Sequence, residues 1–311
     1  MKTLPLFYYP TRKLWIDDDS FFLEAMKQVF GKNFPMMTFT SAEEGLNFIR
    51  HYQSSQMKQD FLRSNREDEN FGILKHTPVD FDITTLACLV DDKSKYDEIS
   101  VVIIDYNMPE MSGTSFARNI FDTPMQKILL TGDAQEAEAI SAFNANLIQC
   151  FIRKGEPNME ERLLNVFDEL SFQYFQRTTY PLLAYLETEA KLPHTDPVFI
   201  RFFEEYCEKN KIQEYYLVDK QGSMLYIDSA GKKSCLVIQS NKGLDSWLSL
   251  YAKEKNLSEE DLLLLQKREK IPFFGVGKEA YEVNESWSSC LYETNILEGV
   301  NKYYWAVVHD I

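Results

Sequence analysis

The chain has 311 residues, a length that predicts two domains, and its composition of 44% hydrophobic and 26% charged residues is typical of globular proteins. The net charge is −15, and acidic residues exceed basic ones on both sides of Tyr180. Binding to nucleic acid through its phosphates needs clustered cations. The charge therefore argues against a DNA-binding function.

Cysteine usage and hydropathy predict the compartment. The five cysteines are widely spaced and form no Cys-x-x-Cys pair, which predicts buried free thiols in a reducing compartment. No apolar run approaches the roughly 18 residues that cross a bilayer. The apolar cluster between Met1 and Arg12 is broken by two prolines and lacks the cleavage site of a signal peptide. We therefore predict a cytoplasmic protein without a membrane segment.

From residue 11 to about 157, short apolar runs alternate with amphipathic segments. This alternation predicts βα units and an α/β fold with a doubly wound parallel sheet. The predicted strands are Arg12–Ile16, Met36–Phe39, Val101–Ile104, Lys127–Leu130 and Leu147–Ile152, and the predicted helices are Phe21–Phe30, one that follows the capping box of Ser41 and Glu44, and Ala134–Phe143.

Residues 53–97 interrupt this alternation. Almost fifty residues separate the helix that ends near Tyr52 from the strand at Val101, far more than a usual connection. We interpret the segment as an insertion, in which residues 51–66 extend the preceding helix and Ile83–Val90 form another one.

A long helix is predicted to follow the parallel sheet. Asn158–Arg177 reads as one helix, Pro181 interrupts it, and Leu182–Leu192 continue as a second one. Its apolar stripe favours core packing over a dimer seam; the stripe consists of Leu163, Phe167, Leu170 and Tyr174.

Residues 193–311 predict a smaller α+β domain with an antiparallel sheet. The order of its elements suggests a PAS-like sensor or docking module, and its tryptophans and tyrosines are predicted to be mostly core. The predicted helices are Pro197–Lys209, Leu244–Lys255 and Glu259–Lys270 with Ser258 as N-cap, and the predicted strands are Tyr215–Val218, Met224–Ile227, Cys235–Ile238, Ser289–Thr294 and Tyr303–Val308.

Polar residues follow four of the predicted parallel strands. Asp17–Asp19 follow the first, Asp105 the third, Thr131 the fourth and Lys154 the fifth. The carboxyl ends of such strands form the edge where these sheets build their sites. Converging carboxylates favour Mg²⁺, and Asp105 could then act as a nucleophile toward a phosphoryl group, with Thr131 and Lys154 stabilising its oxygens.

Each of these residues alone has a plain structural reading, such as a helix cap or a turn, but their joint order is specific. Asp17-Asp18, the run from Asp105 to Gly113, Leu130-Thr131-Gly132 and the run from Phe151 to Lys154 resemble the receiver domain of two-component response regulators. The D-x-x-M-P-x-M-x-G signature of that family is matched in full.

The resemblance implies a five-stranded, flavodoxin-like bacterial receiver domain over residues 11–170, a helical linker over 171–192 and an output domain over 193–311. It implies that Asp105 accepts a phosphoryl group from a histidine kinase or phosphotransfer protein. It also implies that Asp18, Asp105 and the backbone carbonyl of Asn107 bind Mg²⁺ directly, while Asp17 helps through water. Thr131 and Phe151 match the switch pair of the family.

One residue of the site departs from the family pattern. Receiver domains usually have proline after the lysine, whereas this chain has Gly155, which gives the peptide after Lys154 more freedom.

The expected function is a signalling switch rather than an enzyme. Phosphorylation would change protein–protein interaction or oligomerisation through a domain that does not bind DNA, and a homodimer is one possible form. The alternative is an output domain that is an enzyme or binds a nucleotide or another small ligand.

Overall fold

A computed structural model describes residues 3–32, 34–52, 83–132, 136–189, 192–254, 257–276 and 287–311. The chain divides into two units. The parallel-sheet unit comprises the described residues within 10–66 and 93–178, and the antiparallel-sheet unit comprises those within 1–9, 67–92 and 179–311.

The described helices and strands follow one another in a simple chain order. They are β1 Phe7–Tyr8, β2 Arg12–Ile16, α1 Ser20–Phe30, β3 Met36–Phe39, α2 Ala42–His51, α3 Thr84–Cys88, β4 Ile99–Asp105, α4 Gly113–Asn119, β5 Gln126–Thr131, α5 Glu136–Asn144, β6 Cys150–Arg153, α6 Met159–Glu189, α7 Pro197–Lys209, β7 Ile212–Leu217, β8 Met224–Asp228, β9 Lys233–Ser240, α8 Asn241–Glu254, α9 Glu259–Gln266, β10 Lys270–Pro272, β11 Leu291–Glu293, β12 Asn295–Glu298 and β13 Lys302–His309.

The parallel-sheet unit has five parallel strands in the spatial order β3-β2-β4-β5-β6. All seven residues of β4 are buried, as expected for a central strand with helices on both faces. The order reverses beside β2, and such a reversal opens a crevice at the carboxyl ends of the strands. The predicted flavodoxin-like parallel sheet is confirmed.

Two apolar cores cover the two faces of this sheet, because successive side chains of a strand point to opposite faces. On one face, α2, α4 and α5 pack on residues such as Ile16, Ile104 and Leu129. On the other face, α1 and α6 pack on residues such as Trp15 and Leu130. The predicted stripe of α6 belongs to buried structure, since Leu163, Phe167, Leu170 and Tyr174 are each at most 3% exposed.

The antiparallel-sheet unit has a six-stranded sheet in the order β1-β7-β8-β9-β13-β12, and a separate two-stranded pair of β10 and β11. The hairpin of β7 and β8 turns where the Asp219 side chain accepts backbone hydrogen bonds from Gln221 and Ser223. These hydrogen bonds between an aspartate side chain and the backbone that follows it stabilise the turn locally. The predicted α+β domain with an antiparallel sheet is confirmed.

Strand β1 was not predicted from the sequence. It pairs antiparallel with β7, with Phe7 opposite Tyr216 and Tyr8 opposite Tyr215. The Leu6 backbone amide also donates to Thr179 Oγ1 at 3.3 Å. Residues that precede the parallel sheet therefore complete the edge of the antiparallel one.

Part of the predicted insertion also belongs to the antiparallel-sheet unit. The helix predicted at 83–90 is present as α3, which lies against β7. Leu86 within α3 and Leu89 directly after it are fully buried. Residues 53–82, including most of the predicted helical extension, lie outside the described residues. The domain limits 11–170, 171–192 and 193–311 stay a proposal, and they do not include the contributions of 3–9 and 83–92 to the second unit.

Pro181 does not interrupt the long helix, contrary to the prediction. Helix α6 runs from Met159 to Glu189 with Pro181 inside it. A proline removes one intrahelical donor, but residues on both sides of it are held by burial; Phe175, Leu182, Leu183 and Leu186 are each at most 5% exposed. Packing therefore outweighs the local penalty.

Several predicted element ends shift in the structure. Residues 147–149 precede β6 rather than belonging to it, and α9 ends at Gln266, since Lys270 already starts β10. The predicted strand at Ser289–Thr294 is shorter, because Trp287–Cys290 form a 3₁₀ turn, and β12 follows it unpredicted.

The cysteines are free thiols, as predicted, but not all are buried. Cys235 and Cys290 are buried, whereas Cys88 is exposed. Among the aromatic residues, Trp287, Tyr303 and Tyr304 are core, each at most 5% exposed. Trp247 and Trp305 are half-buried.

His194 is an uncommon buried residue of the antiparallel-sheet unit, and it leads to a pH prediction. Its side chain is fully buried and neither ring nitrogen has a hydrogen-bond partner. Burial lowers the pKa of His194 to about 3. Because the unfolded chain binds this proton more readily, at a pKa of about 6.5, the free energy of unfolding falls as the pH drops from about 6.5 toward 3, by up to about 1.4 kcal/mol per pH unit.

Substituting His194→Phe is therefore expected to flatten this acid dependence in urea unfolding between pH 7 and 5. The exposed His51 provides the control, because His51→Gln removes a histidine without removing a buried one. An equal slope in the wild type and in His194→Phe would contradict the prediction.

Candidate functional site

The site lies at the carboxyl edge of the parallel sheet, as predicted. Asp17 directly follows β2, Asp105 ends β4 and Thr131 ends β5, while Lys154 directly follows β6. The strand register places Asp105 beside Leu130 and Thr131 beside Arg153 on the neighbouring strands. The fold thus brings four distant sequence positions to one edge.

Three carboxylates converge at this edge. Asp17, Asp18 and Asp105 each offer an oxygen, and these oxygens lie within 4.8 Å of one another. Asp17 is fully buried and Asp105 is 5% exposed, whereas Asp18 is exposed. The cluster is therefore open to solvent on the side of Asp18.

The Lys154 ammonium bridges the two buried carboxylates. Its Nζ atom lies 2.7 Å from Asp17 Oδ2 and 2.7 Å from Asp105 Oδ1. The other oxygens accept backbone hydrogen bonds at 3.1 Å, Asp17 Oδ1 from Asp19 and Asp105 Oδ2 from Asn107. These contacts fix both carboxylates in one orientation.

Burial dominates the pKa shifts of the two buried carboxylates. It raises the pKa of Asp17 to about 6 and also raises the pKa of Asp105, in both cases against the opposing effect of Lys154. Burial lowers the pKa of Lys154, but the ion pairs with Asp105 and Asp17 outweigh it, so that the net shift is upward. One ammonium therefore only partly compensates the buried negative charge.

The donor set fits a hard divalent cation. Asp17 Oδ2 is buried and, although close to Lys154, has no aligned hydrogen bond, so a lone pair remains available. Carboxylate and carbonyl oxygens with retained waters are the ligands that Mg²⁺ prefers. Asp18, Asp105 and the Asn107 carbonyl could hold the ion, with Asp17 acting through water.

Hydrogen bonds hold the loop after Asp105 in place at two points. The Gly113 backbone amide donates to the Tyr106 carbonyl at 2.8 Å, and a Cβ at Gly113 would lie 2.4 Å from the Asp105 carbonyl oxygen. Glu110 accepts from Ser41 Oγ at 2.8 Å and from the Ala42 amide at 2.7 Å. The role of Glu110 could not be predicted from the sequence, since that position of the signature is not specified.

Thr131 and Phe151 line one cavity of about 140 Å³. Thr131 is 3% exposed and Phe151 is half-buried. Two acidic and two basic side chains complete the lining, namely Glu136, Glu156, Arg153 and Arg162. The residues predicted as a switch pair thus border one space beside the site.

Gly155 adopts a backbone conformation that proline cannot. Its φ is +82°, in the left-handed region, whereas proline is fixed near −65°. Beyond this turn, Arg162 pairs with Glu156 at 3.1 Å and donates to the Phe151 carbonyl at 3.1 Å. The departure from the family pattern therefore coincides with a contact that holds the Phe151 backbone, and the sequence did not predict it.

No helix among the residues that the structure describes is both long enough and apolar enough to cross a membrane.

Comparisons with known proteins agree with this architecture. No protein-family model and no curated protein sequence matches the chain. The response regulator LqsR of Legionella pneumophila has a similar structure, with 28% identity and a TM-score of 0.79 over 99% of this chain and 89% of that chain.

Separate receiver domains match about half of the chain. The CheY-like receiver domain protein of Methanospirillum hungatei is 19% identical, with a TM-score of 0.34 over 53% of this chain and 96% of that chain. The receiver domain protein of Clostridium thermocellum is 21% identical, with a TM-score of 0.33 over 56% of this chain and 98% of that chain. With the full-length similarity to a response regulator and the site at the edge of its parallel sheet, the chain has the architecture of a response regulator, a receiver domain followed by an additional C-terminal domain.

Proposed function

We propose that this chain is a Mg²⁺-dependent phosphorelay response regulator, and that Asp105 is its phosphorylated residue. The observation that carries the proposal is the convergence of the Asp17, Asp18 and Asp105 carboxylates, two of which, Asp17 and Asp105, bind the Lys154 ammonium. This arrangement provides a nucleophile, a cation site and a positive group in one place.

The proposed reaction transfers a phosphoryl group from a phosphohistidine of a histidine kinase or phosphotransfer protein. An Asp105 carboxylate oxygen forms a bond to phosphorus as the bond from phosphorus to the histidine nitrogen breaks, and the imidazole keeps that electron pair and takes up a proton. Bound Mg²⁺ would neutralise charge on the phosphoryl oxygens. Lys154 and the Thr131 hydroxyl would hold two of those oxygens.

The resulting signal is proposed to pass through Thr131 and Phe151. If the Thr131 hydroxyl moves toward the phosphoryl group, the cavity beside it gives the Phe151 ring space to turn inward. The Arg162 contact holds the Phe151 backbone carbonyl, about which the side chain would turn. The protein then acts as a signalling switch whose receiver catalyses its own phosphorylation and dephosphorylation.

The output is proposed to be a change in protein–protein interaction or oligomerisation rather than DNA binding. The net charge of −15 supports this reading, because phosphate backbones repel an acidic surface. Ile140 and Phe143 of α5 are 43% and 46% exposed and could join a homodimer through α5, β6 and α6. Free thiols at all five cysteines support a reducing compartment such as the bacterial cytoplasm.

A second candidate is an output domain that binds a small ligand or acts as an enzyme. Buried polar atoms without partners support it, among them Gln239 Oε1 and Tyr251 Oη in the antiparallel-sheet unit. A ligand that binds the folded state raises the melting temperature. Thermal-shift screening of the full chain against nucleotides and metabolites would separate this candidate from a protein-binding output.

The receiver chemistry can be tested on the wild-type chain by intact-mass measurement. Incubation with acetyl phosphate and Mg²⁺ is expected to add one phosphoryl group, and EDTA is expected to prevent the addition. Binding of beryllofluoride provides a second readout that needs no transfer. Absence of both the adduct and beryllofluoride binding would reject a working receiver site.

A further inference from the structure

The Lys154 ammonium has a third neighbour besides its two carboxylates. Its Nζ atom lies 4.8 Å from the centre of the Phe22 ring. An ammonium within about 6 Å of the face of an aromatic ring is attracted by the ring quadrupole. Phe22 of α1 therefore contacts the charged end of a residue that the proposed reaction needs.

Phe22 is itself held in place by its surroundings. The Asp19 side chain caps α1 and accepts from the Phe22 backbone amide at 3.0 Å. The Trp15 ring packs edge-on against the Phe22 ring, with 5.9 Å between the ring centres and 74° between the ring planes. The preceding Phe21 provides a contrast, because its side chain is 88% exposed.

The backbone alone does not hold the Lys154 ammonium in one position. A lysine side chain has four flexible carbons, and Gly155 follows it where the family has a proline. A misplacement of about 1 Å at a reacting group can cost on the order of 10²-fold in rate. The contact with Asp105 weakens during the reaction, because this carboxylate becomes neutralised in part when it bonds to phosphorus, and Asp17 is then the remaining carboxylate contact of the ammonium.

We propose that Phe22 is a positioning residue, whose ring keeps the Lys154 ammonium at the edge of the site where the phosphoryl oxygens arrive. This inference rests on the proposed function of Asp105 as phosphoryl acceptor. The ring provides an attraction that is independent of the charge state of the carboxylates. In this role Phe22 acts through Lys154 rather than on the phosphoryl group or the proposed cation.

The first test compares rates of Mg²⁺-dependent phosphorylation by acetyl phosphate in full-length variants. Phe22→Leu is expected to be about five-fold slower, which corresponds to about 1 kcal/mol. Phe22→Tyr keeps an aromatic face and is expected to stay within about two-fold of the wild type. Phe21→Leu is the matched control and is expected to leave the rate unchanged.

Fluorination of the Phe22 ring separates positioning from packing. Replacing Phe22 by mono-, di- and trifluorinated phenylalanines keeps the ring shape but progressively weakens its quadrupole. A graded fall in rate, at an unchanged melting temperature, is expected from the cation–ring contact. Equal rates across the fluorinated series would overturn the inference even if Phe22→Leu is slow.

A magnetic-resonance measurement keeps the inference testable without phosphorylation. The ε-methylene protons of Lys154 are expected upfield of their position in Phe22→Leu, because the ring current shields groups above its face, and Phe21→Leu is expected to leave them unmoved. Absence of this difference would overturn the positioning role. Absence of both the adduct and beryllofluoride binding in the wild type, with the upfield shift present, would instead reject the proposed function of Asp105.

Discussion

Substitution of Asp105→Asn is expected to abolish formation of the phosphoryl adduct while leaving the fold intact. The amide removes the nucleophilic carboxylate oxygen, so the rate should fall by about 10³-fold or more. Stability should change by no more than about 1 kcal/mol, because burial already disfavours the charged form and raises the pKa of Asp105. The Lys154 ammonium keeps its second contact with Asp17.

Asp18→Asn is the matched control for this prediction. Asp18 is exposed and belongs to the same carboxylate cluster, but it is not the proposed nucleophile. Removing its charge, which is worth about 1 to 4 kcal/mol near a cation, should raise the Mg²⁺ concentration required by about 5-fold to 10³-fold. Intact-mass measurements across a Mg²⁺ titration should therefore recover the adduct in Asp18→Asn but not in Asp105→Asn.

The outcome that contradicts this assignment is a Mg²⁺-dependent adduct that persists in Asp105→Asn. Peptide mapping would then identify another acceptor. A loss of adduct in Asp105→Asn together with a large fall in melting temperature would point to a structural effect. Because Asp105→Asn is expected to leave the stability nearly unchanged, the melting temperature distinguishes loss of the acceptor from a structural effect.

The grouping of the central site residues was predictable because the carboxyl ends of parallel strands lie at the same edge of a sheet. Once Asp105, Thr131 and Lys154 are assigned to strand ends, the fold must bring them to one edge. Local signals also predicted secondary structure well where a cap or turn is encoded nearby. Ser41 and Ser258 accept from backbone amides three residues later, as the capping pattern predicts.

The supporting contacts of the site could not be predicted because they join residues with no sequence pattern between them. Glu110 accepts from the first amide of a helix 68 residues earlier, and Phe22 of α1 contacts Lys154, which follows the last strand of the sheet. Arg162 of α6 donates to the Phe151 carbonyl, and the left-handed turn at Gly155 lies between the two residues in the chain. Such contacts depend on the packed backbone rather than on any local propensity.

The segments that form the antiparallel-sheet unit could not be predicted from the sequence either. The two-residue strand β1 lies between prolines and pairs with β7 more than 200 residues away, so no periodicity marks it. The signals that separate domains by sequence assume that each domain is one continuous stretch. Here residues 3–9 and 83–92 join the unit that is otherwise formed by 179–311.

Deletion of residues 1–9 is therefore expected to destabilise the antiparallel-sheet unit strongly and to spare the parallel-sheet unit. Leu4, Leu6, Phe7 and Tyr9 are each at most 2% exposed. Burial of such side chains contributes about 1.5 to 3 kcal/mol each, so their loss approaches the 5 to 15 kcal/mol that stabilise a whole domain. The deletion also exposes the backbone edge of β7, which β1 otherwise covers.

Hydrogen exchange measured by mass spectrometry on the full-length and deleted chains can locate this effect. Peptides from β7 and β8 should exchange faster by several orders of magnitude after deletion, while peptides from β4 and β5 should be unchanged. Directly before β1, Leu6→Ala removes a fully buried side chain and should cost about 2 to 5 kcal/mol, whereas Tyr8→Ala at a half-buried position of the strand should cost less. Unchanged protection of β7 in the deleted chain would contradict this prediction, because it would show that the antiparallel-sheet unit folds without β1.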